Sequence, residues 1–147
     1  MSTLSRNINV ISRCASAFRA EKLERLGISP SHYFYILAIC KNVGISQDRL
    51  AKKLYLNKSS VARALQALEA DGLVTRKHSE TDRRITLVYP TEKAEALLPE
   101  IKQTAEEWND FLFGALDGDE RQQFTCLLQK ITARAESYVD EKTEEQK

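Results

Sequence analysis

The sequence has no apolar run approaching the roughly 20 residues that a membrane-crossing helix requires, and no signal peptide. A soluble, cytoplasmic protein with no membrane partner is expected. It also lacks a glycine-rich phosphate loop, and its two histidines, His32 and His78, belong to no recognisable catalytic triad or metal cluster. Neither an enzyme nor a bound cofactor is expected. Cys14, Cys40 and Cys126 are far apart and odd in number, without a C-x-x-C pair or a nearby pair of histidines. That spacing argues against a metal site, and two of the three fall on apolar stripes. They read as small buried hydrophobes in a reducing compartment. Net charge is also nearly absent, at +1, and by itself speaks neither for nor against a nucleic-acid partner.

What is present is unevenly distributed. Between Arg49 and Arg84 there are nine Lys/Arg against four Asp/Glu, whereas from Glu92 to Lys147 there are seven against fourteen. A basic centre followed by an acidic C-terminal part is the asymmetry expected when one region meets phosphate and the other does not. The 147 residues suffice for one domain, alone or with an oligomerisation layer.

The basic centre reads as helix, tight turn, helix and charged hairpin. Ser46 is the N-cap candidate for the first helix, with Asp48 in its first turn and Leu50, Ala51 and Leu54 on one face. Asn57 caps the second, in which Val61, Leu65 and Leu68 recur at i, i+4 and i+7, and Gly72 closes it. Both helices are too short to persist alone and must pack. The face turned away from that stripe carries Ser59, Arg63 and Gln66, flanked by Ser60, with Lys58 in the first turn. Small side chains permit close approach to a groove, Ser and Gln can hydrogen-bond phosphates or base edges, and Arg can grip guanine with two bonds. After Gly72, residues 73–78 and 84–89 are β-favouring, with Ile85, Leu87 and Tyr89 alternating along the second run. The intervening SETDR is a polar turn, so the hairpin carries Arg83 and Arg84 at its tip and Arg76 and Lys77 on its stem. The fold class is therefore mainly α (α+β), a winged helix-turn-helix.

Helices flank this unit on both sides. Leu4 to Leu26 carries Leu4, Ile8, Ile11, Ala15 and Phe18 in a helical stripe ended by Gly27. Ser29 as cap and Pro30 at the first helical position start a second helix, reaching Gly44, and Ile45 can add a minimal strand beside the hairpin. Thr91 caps a long helix bearing Leu97, Leu98, Ile101, Ala105, Trp108 and Leu112, with a bend expected at Pro99. Asp117 and Glu120 have capping-box spacing before a last helix bearing Phe124, Leu127, Leu128, Ile131, Ala135 and Tyr138. Two such helices leave apolar surface that a winged helix of this size cannot cover, so a partner is required. The final residues 141–147 are expected to fray.

From about Ser29 to Ala94 the chain resembles the MarR family of bacterial transcriptional regulators, and its flanking helices follow the same plan. The most specific likeness is Asp82-Arg83-Arg84 followed by ITLVYPTEKA, which is similar to the family's Asp-x-Arg, apolar strand and Leu-Thr-x-x-Gly. Tyr89-Pro90-Thr91 departs from the Leu-Thr pair, and Ala94 stands where glycine is common; Ala62 stands where Ser or Thr is frequent. The resemblance implies an N-terminal dimerisation helix over 1–28, a DNA-binding domain over 29–94 and C-terminal dimerisation helices over 95–140. It further implies a homodimer acting on a pseudo-palindromic double-stranded DNA operator, most simply as a repressor. Two recognition helices would enter major grooves about 34 Å apart. The candidate contacts are then Ser59, Ser60, Arg63 and Gln66 on bases, Lys58 and Arg76 on phosphate, and Arg83 and Arg84 at the wing. Arg84 enters the minor groove, where A·T-rich DNA concentrates negative potential, and Asp82 orients it. A small aromatic or phenolic effector is implied as well, with Phe18, His32 and Tyr35 as walls, joined by Tyr33 and Trp108, and Arg13 or Arg19 as counter-charge. Two alternatives stand beside this reading: a protein-interaction module without specific DNA binding, and a thiol-based redox sensor acting through Cys14.

Overall fold

In the computed structural model, which describes residues 3–145, six helices and three short strands follow the order α1 (Thr3–Arg25), α2 (Tyr33–Lys41), β1 (Ile45–Ser46), α3 (Gln47–Lys53), α4 (Lys58–Ala70), β2 (Val74–His78), β3 (Thr86–Pro90), α5 (Glu92–Phe113) and α6 (Gly118–Glu145). The strands form one antiparallel sheet in the order β1-β3-β2, with Ile45 opposite Val88 and Arg76 opposite the same Val88 from the other side. The chain divides into two compact units, the first ending at Trp108 and the second starting at Asn109.

Helix boundaries in the first unit follow from local chemistry. Ser46 accepts a hydrogen bond from the Arg49 N–H at 3.2 Å, and Asn57 Oδ1 accepts one from Ser60 N–H at 2.7 Å. Each satisfies a donor that the first helical turn leaves unpaired. The ends of α1, α3 and α4 share one geometry, in which two successive N–H groups turn back onto the last carbonyls. In α4 these are Gly72 N–H to Glu69 at 3.0 Å and Leu73 N–H to Leu68 at 2.9 Å; in α3 they are Tyr55 to Lys52 at 3.2 Å and Leu56 to Ala51 at 3.0 Å. The motif needs a left-handed residue, supplied by Gly72 at φ 72° but in α3 by Tyr55 at φ 54°. Leu68 and Leu73, the apolar pair that closes the α4 end, are both buried.

The core of this unit joins Ile36 and Ile39 of α2, Leu50 of α3, Leu65 and Leu68 of α4, Val88 of β3 and Ile101 of α5. α1 enters it through Leu23, while its N-terminal half leaves Leu4, Ile8 and Ile11 exposed.

α2 begins at Tyr33 rather than at Pro30, because His32 N–H bonds back to the Ser29 carbonyl at 2.8 Å and makes a turn of the intervening residues. Ser29 therefore caps no helix; its hydroxyl lies 2.9 Å from that of Ser31. α2 stops at Lys41, where Asn42 donates from its side chain to Ala38 O at 2.7 Å. Arg84 and Ile85 lie outside the strand, and Ile85 is exposed, because Ile85 N–H bonds to the Asp82 carbonyl within the turn. Pro90 instead completes β3 opposite Val74, a strand end where no further ladder donor is needed. Cys14 and Cys126 are exposed rather than buried, because the described residues leave their faces of α1 and α6 open. Only Cys40 is partly buried, and burial pushes its thiol pKa up.

Thr91 begins α5 as expected, accepting from Ala94 N–H at 3.3 Å, and the helix continues through Pro99. In the second unit, Asp117 and Glu120 close a reciprocal box: Glu120 N–H donates to Asp117 Oδ1 at 2.9 Å, and Asp117 N–H to Glu120 Oε2 at 3.0 Å. α6 then carries Phe124, Leu127, Leu128, Ile131 and Tyr138, all exposed. The helix runs to Glu145, and residues 146 and 147 of the tail expected to fray lie outside the described residues.

Candidate nucleic-acid interface

The helix-turn-helix pairs α3 with α4, and α4 turns Val61, Ala64, Leu65 and Leu68 inward. That choice fixes the outward face by helical geometry alone. Lys58, Ser59, Arg63 and Gln66 are exposed on it, and Ser60, whose backbone N–H serves the Asn57 cap, is half-buried. Lys58 Nζ lies 2.9 Å from Asp48 Oδ2, with both side chains about 70% exposed. An ion pair so open to water is worth little and can be exchanged for a phosphate.

The hairpin adds a second cationic element. Asp82 grips Arg84 through three hydrogen bonds: Arg84 N–H to Oδ1 at 3.0 Å, Nε to Oδ1 at 3.0 Å and Nη2 to Oδ2 at 2.9 Å. These bonds hold the Asp82 carboxyl below the usual carboxylate range and push the Arg84 guanidinium further up. The Arg84 side chain is nevertheless 90% exposed against 32% for Asp82, so the carboxylate grips one edge of the guanidinium and leaves the other edge to solvent. Arg83 is exposed beside it.

Arg76 is placed differently from the other candidates. Its Nε and Nη2 donate to Glu69 Oε2 at 3.0 and 2.8 Å, and its backbone N–H donates to Glu69 Oε1 at 3.3 Å. Glu69 is a participant the sequence reading missed, along with two ties at the same helix end. Thr91 Oγ1 donates to the Gly72 carbonyl, and Lys93 Nζ donates to the Asp71 carbonyl, each at 2.7 Å. No local signal in the sequence marks Glu69 or the ties from Thr91 and Lys93, which span 19 and 22 residues.

The effector candidates fall into two groups of contacts. Phe18 packs on Trp108 with ring centroids 5.3 Å apart. Arg19 lies 4.5 Å over the Tyr33 ring, and its Nε is buried without a hydrogen-bond partner. Tyr35 is buried, which raises its hydroxyl pKa, and His32 meets it edge-on at 6.1 Å. His32 and Tyr35, but neither Phe18 nor Arg19, line an open hollow of about 340 Å³ shared with Ser60 and Arg63 of α4. Among the described residues no group of His, Cys, Asp and Glu could hold a metal ion, and no helix is long and apolar enough to cross a membrane.

A two-helix reading element followed by a hairpin whose tip is arginine-bearing defines a winged helix-turn-helix protein. Comparison with known proteins makes this specific. The MarR family model matches residues 26–85. A MarR transcriptional regulator from Methanosarcina mazei Go1 is 30% identical, covering 90% of this chain and 95% of its own, with a TM-score of 0.85. The chain belongs to the MarR family of transcriptional regulators. The HTH-type transcriptional regulator BilQ of Clostridium symbiosum is 29% identical over 122 residues, 83% of this chain and 85% of BilQ. A MarR family regulator from Listeria monocytogenes, solved in complex with a 26mer DNA, is 27% identical, covering 93% of this chain and 91% of its own, with a TM-score of 0.85.

Proposed function

We propose that the protein is a cytoplasmic, homodimeric repressor that binds a pseudo-palindromic double-stranded DNA operator. α4 enters the major groove with Ser59, Ser60, Arg63 and Gln66 toward base edges and Lys58 toward phosphate. The wing lays Arg84, with Arg83 beside it, along the adjacent minor groove. The observation that carries this reading is the Asp82–Arg84 fork: a guanidinium held on one edge and open on the other is preorganised for an anionic groove, so less side-chain freedom is lost on binding. The Listeria relative crystallised with DNA supports the same use of the fold. Homodimerisation is supported by two bare apolar rows, Leu4, Ile8 and Ile11 on α1 and, on its own unit, Leu127, Leu128 and Ile131 on α6, each a helical stripe rather than scattered surface hydrophobes. A dimer seated across two grooves blocks a promoter sterically, which favours repression. A small aromatic or phenolic acid is the effector class that the hollow lined by His32 and Tyr35 suits, with Arg63 as its nearby cation; Phe18 and Arg19 lie outside that hollow.

The test is a titration of the protein against the duplex upstream of its own reading frame, at several salt concentrations, with sedimentation of the free protein. Sequence-selective binding that weakens steeply with salt, by a species of twice the chain mass, is expected. Equal affinity for a scrambled duplex, or a monomer at micromolar concentration, refutes the reading.

A further inference from the structure

Glu69 stands in the last turn of α4, one helical step beyond Gln66, and its side chain is 40% exposed. A bare carboxylate on that edge would repel DNA phosphates. The fold instead aims it at β2, an edge strand of the sheet, whose outward N–H groups have no strand partner among the described residues. Glu69 takes one of them, the Arg76 N–H, together with the Nε and Nη2 of the same residue. Because the main chain of β2 is engaged as well as a side chain, the contact fixes where the strand lies along α4. Arg76 pairs across the sheet with Val88, which is fully buried, and two residues further along the ladder His78 pairs with Thr86 at the mouth of the loop holding Asp82 and Arg84. Helix end, strand and wing loop are thus connected by consecutive short contacts.

We infer that Glu69 is a positioning residue for DNA recognition: through Arg76 it sets the wing's height relative to α4, so that Arg84 and Arg63 meet neighbouring grooves together. Arg76 is then the strap between helix and wing rather than a phosphate ligand. This rests on the DNA-binding reading above, and the two are separated by their tests.

The sign of one substitution decides. Glu69→Gln removes a negative charge from the DNA-facing side and leaves one acceptor oxygen where Arg76 uses two, so the backbone and guanidinium contacts cannot both be kept. If Arg76 were a phosphate contact, the variant would bind more tightly. With Arg76 as a strap, affinity for the upstream duplex falls about tenfold despite the added positive charge, and Glu69→Gln/Arg76→Gln is no weaker than Glu69→Gln alone. Amide hydrogen exchange supplies a readout that needs no DNA: the Arg76 N–H and the hairpin amides exchange about tenfold faster in Glu69→Gln, while α2 and α5 amides keep their wild-type rates. Unchanged hairpin exchange, or unchanged or tighter DNA binding, overturns the inference. Failure of the wild-type chain to select its upstream duplex would instead bring down the DNA-binding reading, and the exchange comparison would still judge the strap.

Discussion

Gly72 joins the recognition helix to the wing, and replacing it with alanine isolates a single physical effect. An added Cβ at this position would meet no heavy atom within 4 Å. Gly72→Ala therefore introduces no clash, and its cost is that of holding an L-residue at φ 72°. That cost is about 1 to 2 kcal/mol, partly offset because alanine restricts the unfolded chain more than glycine does. A net loss of about 1 kcal/mol lowers the melting temperature by roughly 2–4 °C in a chain of this length. Tyr55 shows that the same helix-ending geometry tolerates even a large side chain, so collapse of the fold is not expected. The assay is urea unfolding at one fixed protein concentration, since association would make the midpoint concentration-dependent. The midpoint should fall with the slope unchanged. A semisynthetic D-alanine at the same position, whose Cβ suits positive φ, should regain the loss. No change in Gly72→Ala, or a loss above about 3 kcal/mol, would refute the assignment of the effect to backbone handedness.

Arg84→Ala should weaken binding to the upstream duplex about tenfold or more, with the slope of log affinity against log salt reduced by about one; an unchanged slope removes Arg84 from the DNA contact. Ile131→Glu on α6 should convert the sedimenting species to a monomer and, at the same concentrations, abolish operator binding; a persistent dimer shows that the association surface lies elsewhere. The Glu69 carboxyl is held below its ordinary value by the hydrogen bond from Arg76, so the folded state binds its proton less readily than the unfolded chain. The stabilisation is therefore complete above the unfolded carboxylate pKa of about 4.3 and is lost as pH falls through the lower folded value. Subtracting the Glu69→Gln urea midpoint from that of wild type across pH 2.5–6 should give a difference that shrinks only at the acid end. A flat difference would mean the pair does not couple to folding.

Local chemistry wrote much of this structure visibly into the chain. Ser46, Asn57 and Asp117 cap helices because each has a short side chain whose oxygen reaches backbone N–H groups within three residues. Gly72 ends α4 because the left-handed turn is cheapest without a Cβ. The stripe Val61, Leu65 and Leu68 fixed the buried face of α4, and with it Ser59, Arg63 and Gln66 on the other. Where competing local bonds existed, the reading failed. Ser29-Pro30 satisfied every local rule for a helix start, yet the His32 N–H found the Ser29 carbonyl and made a turn. Ile85 continued the alternation of a strand, yet the Asp82 turn withdrew it.

The six helices, the basic hairpin and the segregation of charge are legible along the chain, since all of these rest on interactions within about one helical turn or on periodicity. Only the tertiary structure decided which charges are committed. Arg76 and Arg84 look alike in the chain, but Arg76 is drawn half-buried onto Glu69, seven residues away across a helix end, while Arg84 stays exposed on a fork made by Asp82. Thr91 and Lys93 likewise reach back to the carbonyls of Gly72 and Asp71. Such pairings depend on where packing carries whole elements, and packing is settled by the buried faces together rather than by any one stretch of residues.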